Sequence, residues 1–141
     1  MIEYLKSGRI KLDRQRFDEA ATYHDPCNYG RRAKKYFGHG YFSEPRWIMD
    51  QCLDRWVDLY PNQENQICCG GGGGALTNGY NEARIFYGRR KMEQIRATGL
   101  KMIVVPCHSC HGQINAIKAE YGMDDLAVKY LWELVADCLV I

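Results

Sequence analysis

The chain has 141 residues, 46% hydrophobic and 26% charged, with 19 basic against 17 acidic side chains and a net charge of +2. That length suits one domain with its own core, and the near-balance of charge excludes a nucleic-acid surface built on net basicity. No apolar run approaches the roughly 20 residues that span a bilayer, and the N-terminus has no signal-peptide core, so a cytoplasmic protein that reaches a membrane only through partner subunits is expected.

Residues 1–6 read as the end of a helix stopped by Gly8, and so abrupt a start suggests that residues 1–19 continue from an upstream part. Residues 20–24 are a short β-compatible run closed by Asp25-Pro26, which puts Cys27 on a loop just past a strand. Residues 29–37 look helical. Their basic cluster (Arg31, Arg32, Lys34, Lys35) reads as a solvated face, as does the later run Arg89, Arg90, Lys91. Ser43-Glu44-Pro45 predicts a helix start with Ser43 as N-cap, running to about Leu53 with Trp47, Ile48 and Cys52 inward. Residues 57–60 are a second strand. Cys68-Cys69 and five glycines follow, then a long helix over residues 75–98 with Gly79 and Gly88 as weak points and Gly99 as its stop. Residues 101–105 are the clearest strand, because an apolar run without alternation suits burial on both faces. Pro106 ends it. A helix over residues 111–121, a strand over residues 127–130 and a last helix over residues 131–139 complete the chain. Strands alternating with helices predict an α/β fold: a small parallel sheet of about four strands, helices on both faces, and functional loops at the carboxyl ends of the strands.

Seven cysteines, an odd number with no export signal, point to metal binding or catalysis rather than disulfides. Five of them fall on three loops that each follow a predicted strand. After Cys27 come 40 residues, then Cys68-Cys69-Gly70, then 36 residues, then Cys107-x-x-Cys110. Adjacent cysteines reach one metal site only where the backbone turns sharply, and the glycines supply that freedom. Five thiols exceed what a tetrahedral zinc or an ordinary iron–sulfur cubane takes, so the number suggests an irregular, multi-iron cluster. The glycine run lacks the Gly-Lys-Ser/Thr ending of a phosphate loop, which argues against a nucleotide. Cys52 and Cys138, on apolar helical faces, read as small core residues.

The stretches Tyr23-His24-Asp25-Pro26-Cys27-Asn28-Tyr29-Gly30-Arg31, Cys68-Cys69-Gly70-Gly71-Gly72-Gly73 and Pro106-Cys107-His108-Ser109-Cys110-His111-Gly112-Gln113 together resemble the CCG cysteine-rich domain of the heterodisulfide reductase B/D subunit family. Within it they look most like the branch that includes the K subunit of the membrane complex accompanying dissimilatory sulfite reductase. The resemblance runs from residue 20 to the end of the chain. It implies a noncubane [4Fe–4S] cluster held by Cys27, Cys68, Cys69, Cys107 and Cys110, in contact with a disulfide, trisulfide or persulfide on a small sulfur-carrier protein. It also implies partners: a ferredoxin-like domain, missing from this sequence, and membrane-complex subunits. The first spacer sits at the long end of the family pattern, so a longer loop is expected within residues 38–44 or 62–66. His24, His108 and His111 flank the cysteines and are candidates for hydrogen bonds to cluster or substrate sulfur, or for protonating a leaving thiolate. Two other readings stay open: a structural zinc module using four of the five cysteines, and a metal-free domain that binds partner subunits.

Overall fold

The computed structural model describes residues 1–140. Four strands form one all-parallel sheet: β1 (Ala21–Tyr23), β2 (Trp56–Asp58), β3 (Met102–Val105) and β4 (Ala127–Tyr130), in the order β2-β1-β3-β4. The helices are α1 (Ile2–Lys6), α2 (Ala33–Phe37), α3 (Ser43–Cys52), α4 (Asn81–Arg96), α5 (His108–Ile117) and α6 (Leu131–Asp137). The expected α/β architecture is therefore the observed one.

The strand pleat explains the layering. In β3 every residue is buried, and successive side chains point to opposite faces. Met102 and Val104 join Ala21, Tyr23 and the apolar faces of α3 and α6, with Cys52 and Cys138 among them. Ile103 and Val105 join Leu59, Met92, Ile95, Ile114 and Ile117 on the α4–α5 side. The two structural cysteines thus lie across the sheet from the cysteine-rich layer, where Cys69, Cys107 and Cys110 are packed. Cys138 Sγ contacts the Cys52 carbonyl at 3.4 Å.

Several boundaries differ from the sequence expectation. Ser43 is the first residue of α3 rather than its cap; its hydroxyl faces Glu44 Oε2 and Phe42 occupies the cap position without a side-chain bond. Residues 75–80 turn instead of extending α4, because Gly72–Thr77 close on themselves through Ala75 N–H to Gly72 O and Thr77 N–H to Gly74 O. Gly88 is no weak point. A Cβ there would stand 2.4 Å from Ile117 Cδ1 and 3.4 Å from the Cys69 carbonyl, so its missing side chain is what lets α4 press against α5 and the Cys69 loop. α5 begins at His108, three residues early, directly after Cys107. The long first spacer is taken up by the open connection between α2 and α3 and by the short helical turn Gln63–Asn65.

Candidate metal centre

In a parallel sheet all carboxyl ends share one edge, and each of the three cysteine loops leaves the sheet there. Cys27 follows β1 and opens a wide helical turn (Asn28–Arg32). Cys68-Cys69 follow β2 after the Pro61–Gln66 segment. Cys107 caps α5 and Cys110 sits in its first turn. The thiols meet in a chain: Cys27 against Cys68, Cys68 against Cys69, Cys69 against Cys110, and Cys110 against Cys107. Cys69, Cys107 and Cys110 are buried, Cys27 half-buried and Cys68 exposed, so one end of the row reaches solvent.

Two groups of residues fix the loops. Arg46 of α3 clamps Asp25 with two hydrogen bonds of 2.8 Å and Asp58 with bonds of 2.7 and 3.0 Å, and donates to the Phe42 carbonyl. Asp25 also accepts the Gln63 N–H at 2.8 Å, so one carboxylate ties the end of β1 to the segment that follows β2. Arg31 donates to the Glu64 and Gln66 carbonyls and so joins the Cys27 turn to the run before Cys68, a structural duty. On the other side Gln113, fully buried, exchanges hydrogen bonds with Arg84 and packs against Gly71. Gly70 adopts φ +88°, which turns the chain directly after the cysteine pair.

Packing five thiols in one place makes them share few protons. Cys68, facing Cys27 and Cys69 and accepting the Gly70 N–H at 3.4 Å, is pulled down to about 2. Cys107, next to Cys110 and to the first backbone N–H groups of α5, is lowered to about 6. Cys27 and Cys110 are pushed far up by their thiol neighbours and by burial. Cys69, lowered by Cys110 but raised more by Cys68 and burial, comes to about 11. Thiolates alternate with held protons, and a metal that replaces those protons relieves the set.

The three candidate histidines have different surroundings. His24 is buried with Nε2 3.2 Å from Cys110 Sγ, and its Nδ1 has no hydrogen-bond partner among the described residues. Burial, then the charge of Lys91, lowers its pKa well below the usual value, so the ring is neutral. His108 is exposed at the start of α5, its Nδ1 2.6 Å from the Tyr130 hydroxyl. His111 stacks on Tyr130 at 3.9 Å and its Nε2 lies 3.1 Å from the Val128 carbonyl. His24, Cys69 and Cys110 place three donor atoms within 4.8 Å of one another. Beside the exposed end of the row a cleft of about 620 Å³ is lined by Cys68, Arg31, Gln66, Tyr87 and Arg90. A cleft of about 570 Å³ lined by Arg14, Asp50 and Arg55 lies at the opposite, amino-terminal end of the strands and has no part in the thiol site.

Lys91 departs from the sequence expectation. It is not on a solvated face: 1% of it is exposed, in the stripe Gly88-Lys91-Met92-Ile95 that α4 turns to the core.

The profile of a family described as a cysteine-rich domain, CCG, matches residues 21–115, a span that holds all three cysteine loops. The chain belongs to the CCG cysteine-rich domain family. Its full-length relatives are larger. The CCG domain here is 30% identical over 138 residues to a probable membrane-anchored ferredoxin of Chromohalobacter salexigens, covering 97% of this chain and 19% of that protein. It is 28% identical to an Hdr-like menaquinol oxidoreductase iron–sulfur subunit of Archaeoglobus profundus, covering 97% of this chain and 25% of that one. It is 26% identical to a dihydromethanophenazine:CoB–CoM heterodisulfide reductase polypeptide of Methanosarcina barkeri, covering 99% and 32%. The chain thus spans between a fifth and a third of the length of these relatives. Among the described residues no helix is long and apolar enough to cross a membrane.

Proposed function

We propose that this CCG domain is the cluster-bearing part of a heterodisulfide reductase-like oxidoreductase, with Cys27, Cys68, Cys69, Cys107 and Cys110 holding a noncubane [4Fe–4S] cluster. The observation that carries the reading is the convergence of five thiols from three loops at one sheet edge, in a set that holds more protons than it can comfortably keep. The donor set fits such a group: soft thiolates in number, a tight glycine cradle at Gly70-Gly71, and a buried ring nitrogen without a partner on His24. When bound, the cluster would supply one-electron redox steps next to a sulfur substrate.

The substrate is a disulfide, trisulfide or persulfide, carried on a small sulfur-carrier protein of dissimilatory sulfur metabolism, as in the branch of the sulfite reductase-associated K subunit. Cleaving a sulfur–sulfur bond consumes two electrons and two protons and leaves two thiols; the reverse releases them. The chain's own residues have distinct parts in this. The Cys68 cleft admits the substrate, and Arg31 and Arg90 on its walls favour an anionic one. His24 donates a hydrogen bond to a sulfur inside the site. His108, exposed beside Cys107, hands a proton to the departing thiolate. His111, held by Val128 and stacked on Tyr130, positions the tyrosine that His108 meets. Electrons arrive through a ferredoxin-like domain and membrane-complex subunits, with this domain on the cytoplasmic side and peripheral to the membrane. The names of the Archaeoglobus and Methanosarcina relatives support that assembly.

The three-donor group His24, Cys69 and Cys110 favours one rival, a structural zinc site. Anaerobic reconstitution with iron and sulfide separates the two. About four irons per chain, with a paramagnetic oxidised signal that changes when a thiol is added, is the expected result. One tightly bound zinc and no uptake of iron would replace the redox reading by the structural one.

A further inference from the structure

Lys91 is a cation enclosed in the protein without a carboxylate. It is 1% exposed, and no salt bridge to it exists among the described residues. Its ammonium donates to Gln94 Oε1 at 2.5 Å, and Gln94 in turn donates to the Pro61 carbonyl at 2.8 Å, so one of three N–H donors is used, on a neutral group. The negative groups that act on it are Cys69, Cys110, Asp25 and Cys68, and Asp25 is already neutralised by Arg46. Burying a charge beside only an amide is costly, and a protein keeps such a charge where an anion faces it. Here the facing anions are the thiols. Its helix is also locked in place, because Gly88, one turn earlier, brings α4 against the Cys69 backbone with no room for a side chain.

We infer that Lys91 is the built-in counter-ion of the cysteine site, a fixed positive charge on the buried side of Cys69 and Cys110 that favours the more negative, reduced state of the group held there. This rests on the iron–sulfur reading above. A positive charge in a dry interior stabilises added negative charge and so raises the reduction potential. Lys91 touches no substrate; its role is positioning of charge.

The test uses the whole chain as wild type, K91M and K91R, each reconstituted anaerobically with iron and sulfide. Three quantities are read: iron and sulfide per chain, the midpoint potential by EPR-monitored titration, and the melting temperature of the cluster-free protein. K91M is expected to take up iron like wild type, to shift its potential downward by at least tenfold in the reduced-to-oxidised ratio (about 59 mV for one electron), and to melt higher than wild type when cluster-free, since an uncompensated charge is gone. K91R is expected to keep the wild-type potential. Uptake lost in K91M but kept in K91R carries the same conclusion. An unchanged potential in loaded K91M, equal shifts or equal loss of cluster in both variants, or a cluster-free K91M that melts below wild type overturns the inference; the last result would make the Lys91–Gln94–Pro61 link structural. Wild type that takes up no iron overturns the iron–sulfur reading itself, and the iron count alone identifies that case.

Discussion

Replacing Gly71 by Ala tests whether the glycine run is a fitted cradle or a flexible tether. An added Cβ would stand 2.5 Å from Gln113 Cβ and 2.7 Å from the Ser109 carbonyl oxygen. The first is the root of a fully buried side chain held by two hydrogen bonds to Arg84, and the second is backbone in the first turn of α5. Neither can swing aside, so the Cys69–Gly71 segment or α5 must move. Overpacking of this kind costs about 1–3 kcal/mol. Because Gly71 shares its loop with Cys69, and Ser109 lies between Cys107 and Cys110, the displacement falls on the thiols as well as on stability. Gly72→Ala is the control, since a Cβ at Gly72 meets nothing within 4 Å. Urea unfolding of the cluster-free protein should show Gly71→Ala destabilised by about 2 kcal/mol and Gly72→Ala near wild type, and iron uptake should fall in the first variant alone. Equal behaviour of the two variants would refute the cradle and leave the run as a tether.

Removing Arg46 strands a carboxylate, Asp25, whose side chain is 2% exposed; Arg46→Met should cost about 3–5 kcal/mol in urea unfolding, and a loss under 1 kcal/mol would deny that the clamp holds the loops. Cys69→Ala should abolish or alter the reconstituted spectrum while Cys138→Ala leaves it intact, because Cys138 lies across the sheet in the other core; equal loss from both would show the ligand set to be wrong. Tyr23 has a buried hydroxyl with no partner among the described residues, and burial, then the charges of Asp25 and Asp58, raises its pKa well above 10.0. A raised folded pKa means stability that is complete below pH 10 and lost as the pH climbs beyond it, so Tyr23→Phe should leave neutral-pH stability unchanged or slightly higher and flatten the decline in alkaline denaturation curves; a steep decline that persists in the variant would exclude Tyr23 as its source.

The fold and the convergence of the cysteines were legible because both rest on local signals. β3 announced itself as an unbroken apolar run, and the rule that parallel strands end on one edge carried Cys27, Cys68, Cys69, Cys107 and Cys110 together without any knowledge of distance. What could not be read depends on partners distant in sequence. Arg46 looks like any helix charge until Asp25 and Asp58, 21 and 12 residues away, are brought beside it. Ser43 resembles a cap because its type favours one, but the helix starts a residue earlier than that favours.

Lys91 is the instructive case, since a signal for it was present and pointed two ways. Read with its neighbours Arg89 and Arg90 it belongs to a basic run, and such runs are usually solvated. Read with Gly88, Met92 and Ile95 it occupies the i, i+3, i+4, i+7 stripe that a helix buries. Helical periodicity governs which face meets the core, whereas adjacency in sequence does not: on an α-helix Arg90 and Lys91 point about 100° apart. A charged residue at a stripe position is thus either a local conflict or a site. Here α4 lays that stripe over Cys69, and the conflict disappears once the thiols are counted as its counter-charge. The same logic applies to His24, another polar residue in a run otherwise buried, whose neighbour is Cys110. In this domain the polar residues that break the burial pattern are the ones that face sulfur.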